Sequence, residues 1–413
     1  MRARSIAAAL PSGSARKPVL LLALGTFALG TDAFVISGVL PRVGADLGVS
    51  LSVAGLLITV FSGVYAVGAP VIAVLTGNMC RRRALLIAMS VFVLANVVAA
   101  IAPNYAIMVV ARVVAALGAA MYTPAASAVA AQLAAPQERG RALAVVLGGL
   151  TLATALGVPL GTLVGQAADW RTTFVFVAVL GLIALVGLAR SLEAMPSTGV
   201  ASLRQRIVVA GTRGVPSSLL ATALSICGVF VIYTYLAWFA GLTAGITGSL
   251  LTVVYLIFGI CAVISNLVAG VLIDRMAPAK VAVISMAGLM VAFLALSALA
   301  RLGTPGVVAA VVLCVIVAVW SLLGWMFNPA QQQRLLGVAG PHGPVVLSLN
   351  ASALYLGQAI AGVIGGVLLT SGPSVLPIAA VGCEVLAVGA MLISARRTAR
   401  PVVPAAEPAA TPA

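Results

Sequence analysis

Residues 19–40 read VLLLALGTFALGTDAFVISGVL, an unbroken apolar run with a single carboxylate, Asp32, inside it. At about 1.5 Å per residue a helix of this length crosses a hydrocarbon core roughly 30 Å thick. An ionised Asp at mid-bilayer costs about 2.5–3.5 kcal/mol, so an acid retained there faces a cavity or a partner. Removal from water penalises the charged form of a carboxyl, and such a group releases its proton when water arrives. It can therefore couple proton movement to another event. The stretch predicts a proton-linked membrane transporter, with a fixed structural ion pair as the plainer reading of Asp32.

The rest of the chain is written in the same way. Only 8% of its residues are charged and 62% are hydrophobic, against roughly 25% charged in an ordinary globular domain. Eleven further runs are long and apolar enough to span: 53–75, 84–102, 106–130, 142–166, 173–192, 216–240, 249–272, 281–300, 306–327, 345–370 and 374–394. The fold class expected is an all-α membrane protein of twelve transmembrane helices. The first run follows a basic tail (Arg2, Arg4, Arg16, Lys17) and is too long for a signal-peptide core, so it reads as retained. The sizeable polar interruption, 193–214, divides the spans six and six. The expected organisation is a tail at 1–17, a six-helix bundle at 18–192, a central loop at 193–214, a second bundle at 215–395, and a tail at 396–413. Within the loop, 203–209 has the pattern of a short amphipathic segment at the membrane surface. The Pro/Ala/Ser-rich tails read as disordered.

The net charge of +15 is a topology signal, not a nucleic-acid footprint. Arg81, Arg82, Arg83, Arg139, Arg141, Arg190, Arg204, Arg206, Arg213, Arg275, Lys280, Arg334, Arg396, Arg397 and Arg400 fall on one side of the predicted topology. Arg42, Arg171 and Arg301 fall on the other. The positive-inside rule puts both termini in the cytoplasm, and an even number of spans requires them on the same side. The expected place is a cell inner (plasma) membrane, multi-pass. Five cysteines without paired spacing and one histidine, His342, beside Pro341 and Gly343, imply no disulfide or metal framework. No Gly-rich loop ending in Gly-Lys-Ser/Thr occurs, which disfavours an ATP-driven pump. A membrane-embedded transferase would need paired acids or a histidine base, and neither is present. The chain reads as a non-enzyme with no cofactor, driven by a proton gradient. Its partners would be protons, a small-molecule substrate and membrane lipids, and it reads as a monomer.

The halves echo each other. Gly77-Asn-Met-Cys80-Arg81-Arg82-Arg83 follows span two, and Gly270-Val-Leu-Ile-Asp274-Arg275-Met276 follows span eight. Spans five and eleven are both glycine-rich. Duplicated halves are the mark of a transporter that rocks one bundle against the other around a midplane site. In span five Gly157, Gly161 and Gly165 recur every fourth position on one face, where small residues let another helix approach closely; Gly148 and Pro159 belong to the same segment. Arg112 in span four and Glu384 in span twelve are further charges at depth. Arg112 either works in the protein interior or snorkels to the nearer interface. Glu384 is a protonated hydrogen-bond donor or a second titrating site. A pocket for an amphipathic compound needs apolar and aromatic walls with a few polar groups. Candidates are Phe34, Ile36 and Tyr65 in the first half. In the second they are Tyr233, Tyr235, Trp238, Tyr255, Trp320, Trp325, Asn328, Asn350, Tyr355 and Gln358. Asn350 and Gln358 stand out because amides deep in a span need a partner.

Taken together these residues resemble the major facilitator superfamily, in its twelve-span drug:proton antiporter branch, which includes arabinose-efflux-like and chloramphenicol-exporter-like bacterial permeases. The resemblance covers roughly residues 20 to 394. It rests on Gly30-Thr-Asp32-Ala-Phe34-Val-Ile-Ser-Gly38-Val-Leu-Pro41, the basic loop after span two, Arg112 with Gly118, the run from Leu147 to Gly161, and Asp169-Trp170-Arg171. It implies proton coupling through Asp32 and Arg112, a gating role for Gly77 to Arg83 and for Asp274 with Arg275, and an antiporter signature in span five. The chain departs from the family in two places: Cys80 or Arg81 stands where the first loop usually has an acid, and Pro159 falls between the two central glycines. The function implied is export of a small amphipathic compound, a drug or metabolite such as a chloramphenicol-like one, in exchange for protons by alternating access. The alternative in the same fold is proton-coupled transport of a sugar, nucleoside or metabolite.

Overall fold

A computed structural model describes residues 15–197 and 202–398. The expectations for 1–14 and 399–413, and for the part of the central loop at 198–201, lie outside the described residues. Every long element is a helix, as a chain in lipid requires, because a helix satisfies its own backbone donors and acceptors. Spans one to four are Arg16–Asp46, Leu51–Leu75, Arg81–Ala100 and Tyr105–Leu133. Span five is Arg139–Leu152, a π turn at Ala153–Gly157, and Val158–Ala167; span six is Trp170–Ser191. Span seven is Val215–Tyr233 followed, after a break, by Leu236–Ala244. Spans eight and nine are Ser249–Arg275 and Pro278–Leu302. Spans ten to twelve are Val307–Ala339, Gly343–Leu368 and Val375–Thr398. The helical run from Val307 to Ser371 turns back on itself at Gly340–His342, where Gly340 takes a positive φ of 51°. That corner divides one of the eleven long apolar runs into two crossings and brings the count among the described residues to the expected twelve.

Several boundaries differ from the apolar runs. Span one begins at Arg16, inside the expected tail, and continues through Pro41 to Asp46. Span twelve carries Arg396 and Arg397 in its last turn, where the helix dipole favours cations. Span ten runs twelve residues past Phe327, through Pro329 and the polar stretch Gln331 to Arg334. Hydropathy reports only the lipid-crossing part of such a helix. At the end of the molecule opposite the central loop, helix starts are capped by side chains: Ser50 accepts from the Val53 amide, Asn104 from that of Ile107, and Asp169 from that of Arg171.

The helices form two six-helix bundles. In the first, Leu22, Leu85, Met89, Phe92, Tyr122 and Leu188 fill the core; in the second, Phe258, Leu289, Phe293, Leu313 and Trp320 do so. The central loop contains a helix, Leu203–Ala210, closed by a capping box between Ser202 and Gln205. Its exposed side carries Leu203, Ile207 and Val208, while Arg206 is buried and donates to Ser348 Oγ at 2.6 Å. The amphipathic segment is therefore a helix docked on span eleven.

Candidate functional site

Asp32 and Arg112, eighty positions apart in sequence, meet inside the first bundle. Arg112 Nη1 donates to Asp32 Oδ1 at 2.7 Å, and the two side chains are 1% and 0% exposed. The guanidinium lies 4.4 Å from the centroid of the Phe61 ring and 6.0 Å from that of Phe174. Stacking over an aromatic face suits a weakly hydrated planar cation. At 1% exposed the Arg112 side chain lies in the protein interior. The pair is also incompletely saturated. Asp32 Oδ2 and Arg112 Nε and Nη2 are buried and make no hydrogen bond within the protein. A buried pair holds together because each charge compensates the other, and removing one charge leaves its partner exposed to a large desolvation cost. Protonation of Asp32 would do this to Arg112. Phe61 and Phe174 give no sequence signal, since phenylalanine is ordinary in any span.

The glycines of span five lock span one in place. A Cβ at Gly149 would collide with Thr26 Oγ1, at Gly157 with Thr31 Oγ1, at Gly161 with Val35, and at Gly165 with Val39 and Thr173. Gly30 and Gly38 on span one receive Ala153 and Thr162 in return. The close approach expected of Gly157, Gly161 and Gly165 is thus present, but it lies within one bundle, around the residues that flank Asp32. Gly148 is a correction: it is exposed, and an added Cβ would meet nothing within 4 Å. Its neighbour Gly149 faces span one, because helix rotation turns adjacent positions by about 100°. Pro159 has no amide to give the carbonyl four residues back, and the π turn at Ala153–Gly157 lies directly before it. That turn is where span five meets the second bundle, because a Cβ at Gly259 of span eight would run into the backbone of Thr154 and Ala155. Sequence reading missed Gly259.

The two bundles are held together mainly at mid-depth and toward the end opposite the central loop. Ser52 Oγ donates to the Gly366 carbonyl at 2.7 Å, Thr59 Oγ1 to the Ala359 carbonyl at 3.0 Å, and Asn266 Nδ2 to Thr151 Oγ1 at 3.2 Å. Tyr65 and Tyr355 stack across the interface with centroids 3.7 Å apart. Phe34 stacks on Phe230 at 5.8 Å and meets Tyr233 edge-on at 6.2 Å. Tyr233 in turn touches Tyr255, Phe258 and Trp320. Of these rings only Phe230 and Phe258 escaped the sequence list.

Other candidate cavity residues sit elsewhere. Ile36 is fully buried, and Tyr235 is packed in the same cluster, with Trp238 at its edge. Tyr235 OH donates to the Gly362 carbonyl at 2.7 Å. These three belong to one packed hydrophobic cluster. Asn350 accepts from Thr222 Oγ1 at 2.8 Å inside the second bundle, which supplies the partner its burial demands. Gln358 is buried with Oε1 unbonded. Trp325 and Asn328 are half-buried, and Asn328 accepts from Gln332.

In the basic loop, Gly77 is buried and Arg83 exposed, Arg82 donates to the Ala189 carbonyl at 2.8 Å, and the Arg81 amide to that of Met195 at 3.0 Å. This loop clasps the end of span six. Asp274 and Arg275 are exposed, and Asp274 forms no ion pair among the described residues. At the far end Arg171 pairs with Asp46 at 2.6 Å and lies 4.3 Å from the Trp170 ring.

Twelve crossings in two bundles, with an ion pair buried in the core of the first, are the architecture of a multi-pass membrane protein. The model of the Major Facilitator Superfamily matches residues 22–343, and the chain belongs to that family. It is 33% identical over 377 residues to an uncharacterized transporter of the same superfamily, YbcL of Bacillus subtilis (strain 168), covering 91% of this chain and 95% of that one. It is 35% identical over 287 residues to a chloramphenicol resistance protein of Streptomyces lividans, covering 68% and 73%. Among solved structures a peptide transporter, POT, superposes with a TM-score of 0.76 at 14% identity, over 96% of this chain and 99% of that one. At that identity the likeness concerns the fold alone.

Proposed function

We propose that the protein exports a small amphipathic compound in exchange for protons, with both termini in the cytoplasm. The observation that carries this reading is the buried Asp32–Arg112 pair. In the exchange cycle a proton from the outer phase neutralises Asp32, the guanidinium loses its counter-charge, and the bundle contacts that depend on span one rearrange. Deprotonation on the cytoplasmic side restores the pair. Tyr355 of the second bundle packs against the core of the first and stacks on Tyr65, which ties the bundle that holds the titrating group to the interface. The substrate would sit between the bundles against Phe34, Tyr65, Tyr233 and Tyr355, with Trp325 and Asn328 on the second-bundle side. The contacts at the far end correspond to a state closed outside. Gly77 to Arg83, with Asp274 and Arg275, would act at the cytoplasmic rim. The relative that confers chloramphenicol resistance supports an aromatic, amphipathic substrate class.

The test is transport in inverted membrane vesicles with a compound panel that includes chloramphenicol, with and without an imposed pH gradient. Accumulation driven by an acidic lumen and abolished by Asp32→Asn is expected. Gradient-independent movement, or undiminished uphill transport by Asp32→Asn, would remove the pair from the mechanism.

A further inference from the structure

Glu384 lies outside the machinery just described, in the middle of span twelve. It is fully buried. Ser225 Oγ donates to its Oε1 at 3.1 Å, and Oε2 makes no hydrogen bond within the protein. Among the described residues no cation pairs with it. The helices packed against span twelve are seven and nine, with the edge of eleven. Their ionisable groups are Cys227 and Tyr233 on span seven, Tyr355 on span eleven, and Lys280 and Arg301 at the two ends of span nine. Of these groups Cys227 lies beside Cys383, the residue preceding Glu384, with sulfurs 3.9 Å apart. Among the described residues this acid therefore has no structural ion pair.

A polar ladder runs from the carboxyl to the surface. Ser218, Thr222 and Ser225 occupy one face of span seven at intervals of four and three residues, advancing about 10 Å along the helix. Thr222 Oγ1 donates to Asn350 Oδ1 at 2.8 Å, and Gln331 Nε2 donates to Thr222 Oγ1 at 3.2 Å and to the Ser218 carbonyl at 2.7 Å. Ser218 Oγ meets Ser394 Oγ at 2.8 Å, both hydroxyls reach the Gly214 carbonyl, and Arg334 Nη1 donates to Ser218 Oγ at 3.2 Å. Gly214 itself lines a surface cavity of about 340 Å³ with Gly211, Thr212, Arg213, Pro216 and Arg397. Gln331 Oε1 and Arg334 Nη2, like Glu384 Oε2, are buried and make no hydrogen bond within the protein. Side chains that donate and accept thus step from an apolar-embedded acid towards the end that carries the central loop; the one interval that no hydrogen bond bridges lies between Ser225 and Thr222, three positions apart on the same helix face.

We propose that Glu384 is a second proton-binding site, loaded and unloaded from the cavity at 211–216 through this ladder of spans seven, ten, eleven and twelve. The proton comes from water in the cavity, binds the carboxylate at Oε2, and returns to the same water. The role of this site in export rests on the proton-coupled reading above; its occupancy by a proton does not, and can be measured without any substrate.

The experiment is infrared difference spectroscopy of the purified full-length protein in lipid nanodiscs between acidic and alkaline pH. A carboxylic C=O band that is lost at alkaline pH is expected in the wild type and in Asp32→Asn, and absent from Glu384→Gln. Ser225→Ala, which keeps the acid but removes its hydroxyl partner, should shift the band. The pair Ser218→Ala and Thr222→Val should slow its decay after a pH jump several-fold without changing its amplitude. A Glu384→Gln spectrum superimposable on the wild type at every pH would make Glu384 an acid that does not titrate and overturn the site; a band unmoved by Ser225→Ala would overturn its assignment to the carboxyl that Ser225 meets. Decay at the wild-type rate in the ladder variant would overturn the path. Failure of Asp32→Asn to impair proton-driven transport would sink the export reading and leave the Glu384 band untouched.

Discussion

Asp32→Asn is the sharpest perturbation the geometry offers, because the two members of the pair are not equivalent. A carboxylate left without its partner can neutralise itself by taking up a proton; a guanidinium cannot. In Asp32→Asn the Arg112 charge therefore stays buried against Phe61 and Phe174, and removing one partner of a buried pair costs about 3–5 kcal/mol. The Asn carbonyl keeps one acceptor at the Oδ1 position, and a hydrogen bond from a charged donor is worth about 1.5–3 kcal/mol. The difference is a destabilisation of about 2 kcal/mol. For a unit the size of one six-helix bundle that lowers the melting temperature by about 4–8 °C, small enough for the variant to fold and reach the membrane. Adding Arg112→Met removes the stranded charge and should return the double variant to within about 1 kcal/mol of the wild type, since apolar replacement of a buried pair is often neutral. Neither variant should transport against a gradient. Circular dichroism melting in detergent measures the cycle. A single variant as stable as the wild type, with no recovery in the double, would mean that Arg112 is hydrated and that the pair contributes nothing to the bundle.

Arg112→Lys keeps a charge without the planar fork, so transport should fall severely with Arg112→Ala and at least partly with Lys, at normal expression measured by immunoblot; near-normal transport by both would refute a mechanistic role. Gly149→Ala should destabilise the protein by about 1–3 kcal/mol through overpacking against Thr26, whereas Gly148→Ala, on the open face, should be neutral or slightly stabilising in the same melting assay. Gly161→Leu overpacks the contact with Val35 inside one bundle, so it should lower stability by a similar amount. Gly259→Leu wedges span eight away from the Thr154 carbonyl across the interface and should instead shift the population of facing states. Thiol labelling of single-cysteine reporters from each side of the membrane reads that shift, and equal accessibility in wild type and Gly259→Leu would refute the interface assignment.

The crossings were legible in the sequence because hydrocarbon is a one-dimensional filter: it selects for runs of apolar residues and leaves the charges in loops, whatever the helices later touch. For the same reason the four-residue spacing of Gly157, Gly161 and Gly165 disclosed a close helix contact, and the depth of Asp32, Arg112 and Glu384 marked each as needing a partner. Which partner each found was decided only in three dimensions. Helix rotation and tilt, which hydropathy does not encode, brought Arg112 to Asp32 across eighty positions. They turned Gly149 inward and Gly148 outward, gave Asn350 to Thr222, and left Glu384 with a serine where Asp32 had an arginine. They also divided the cavity candidates, carrying Tyr65 and Tyr355 to the seam between bundles and Ile36 and Tyr235 into a packed hydrophobic cluster. An apolar side chain costs the same to place against any apolar neighbour in lipid, so composition alone could not choose between those destinations; shape complementarity between packed helices did.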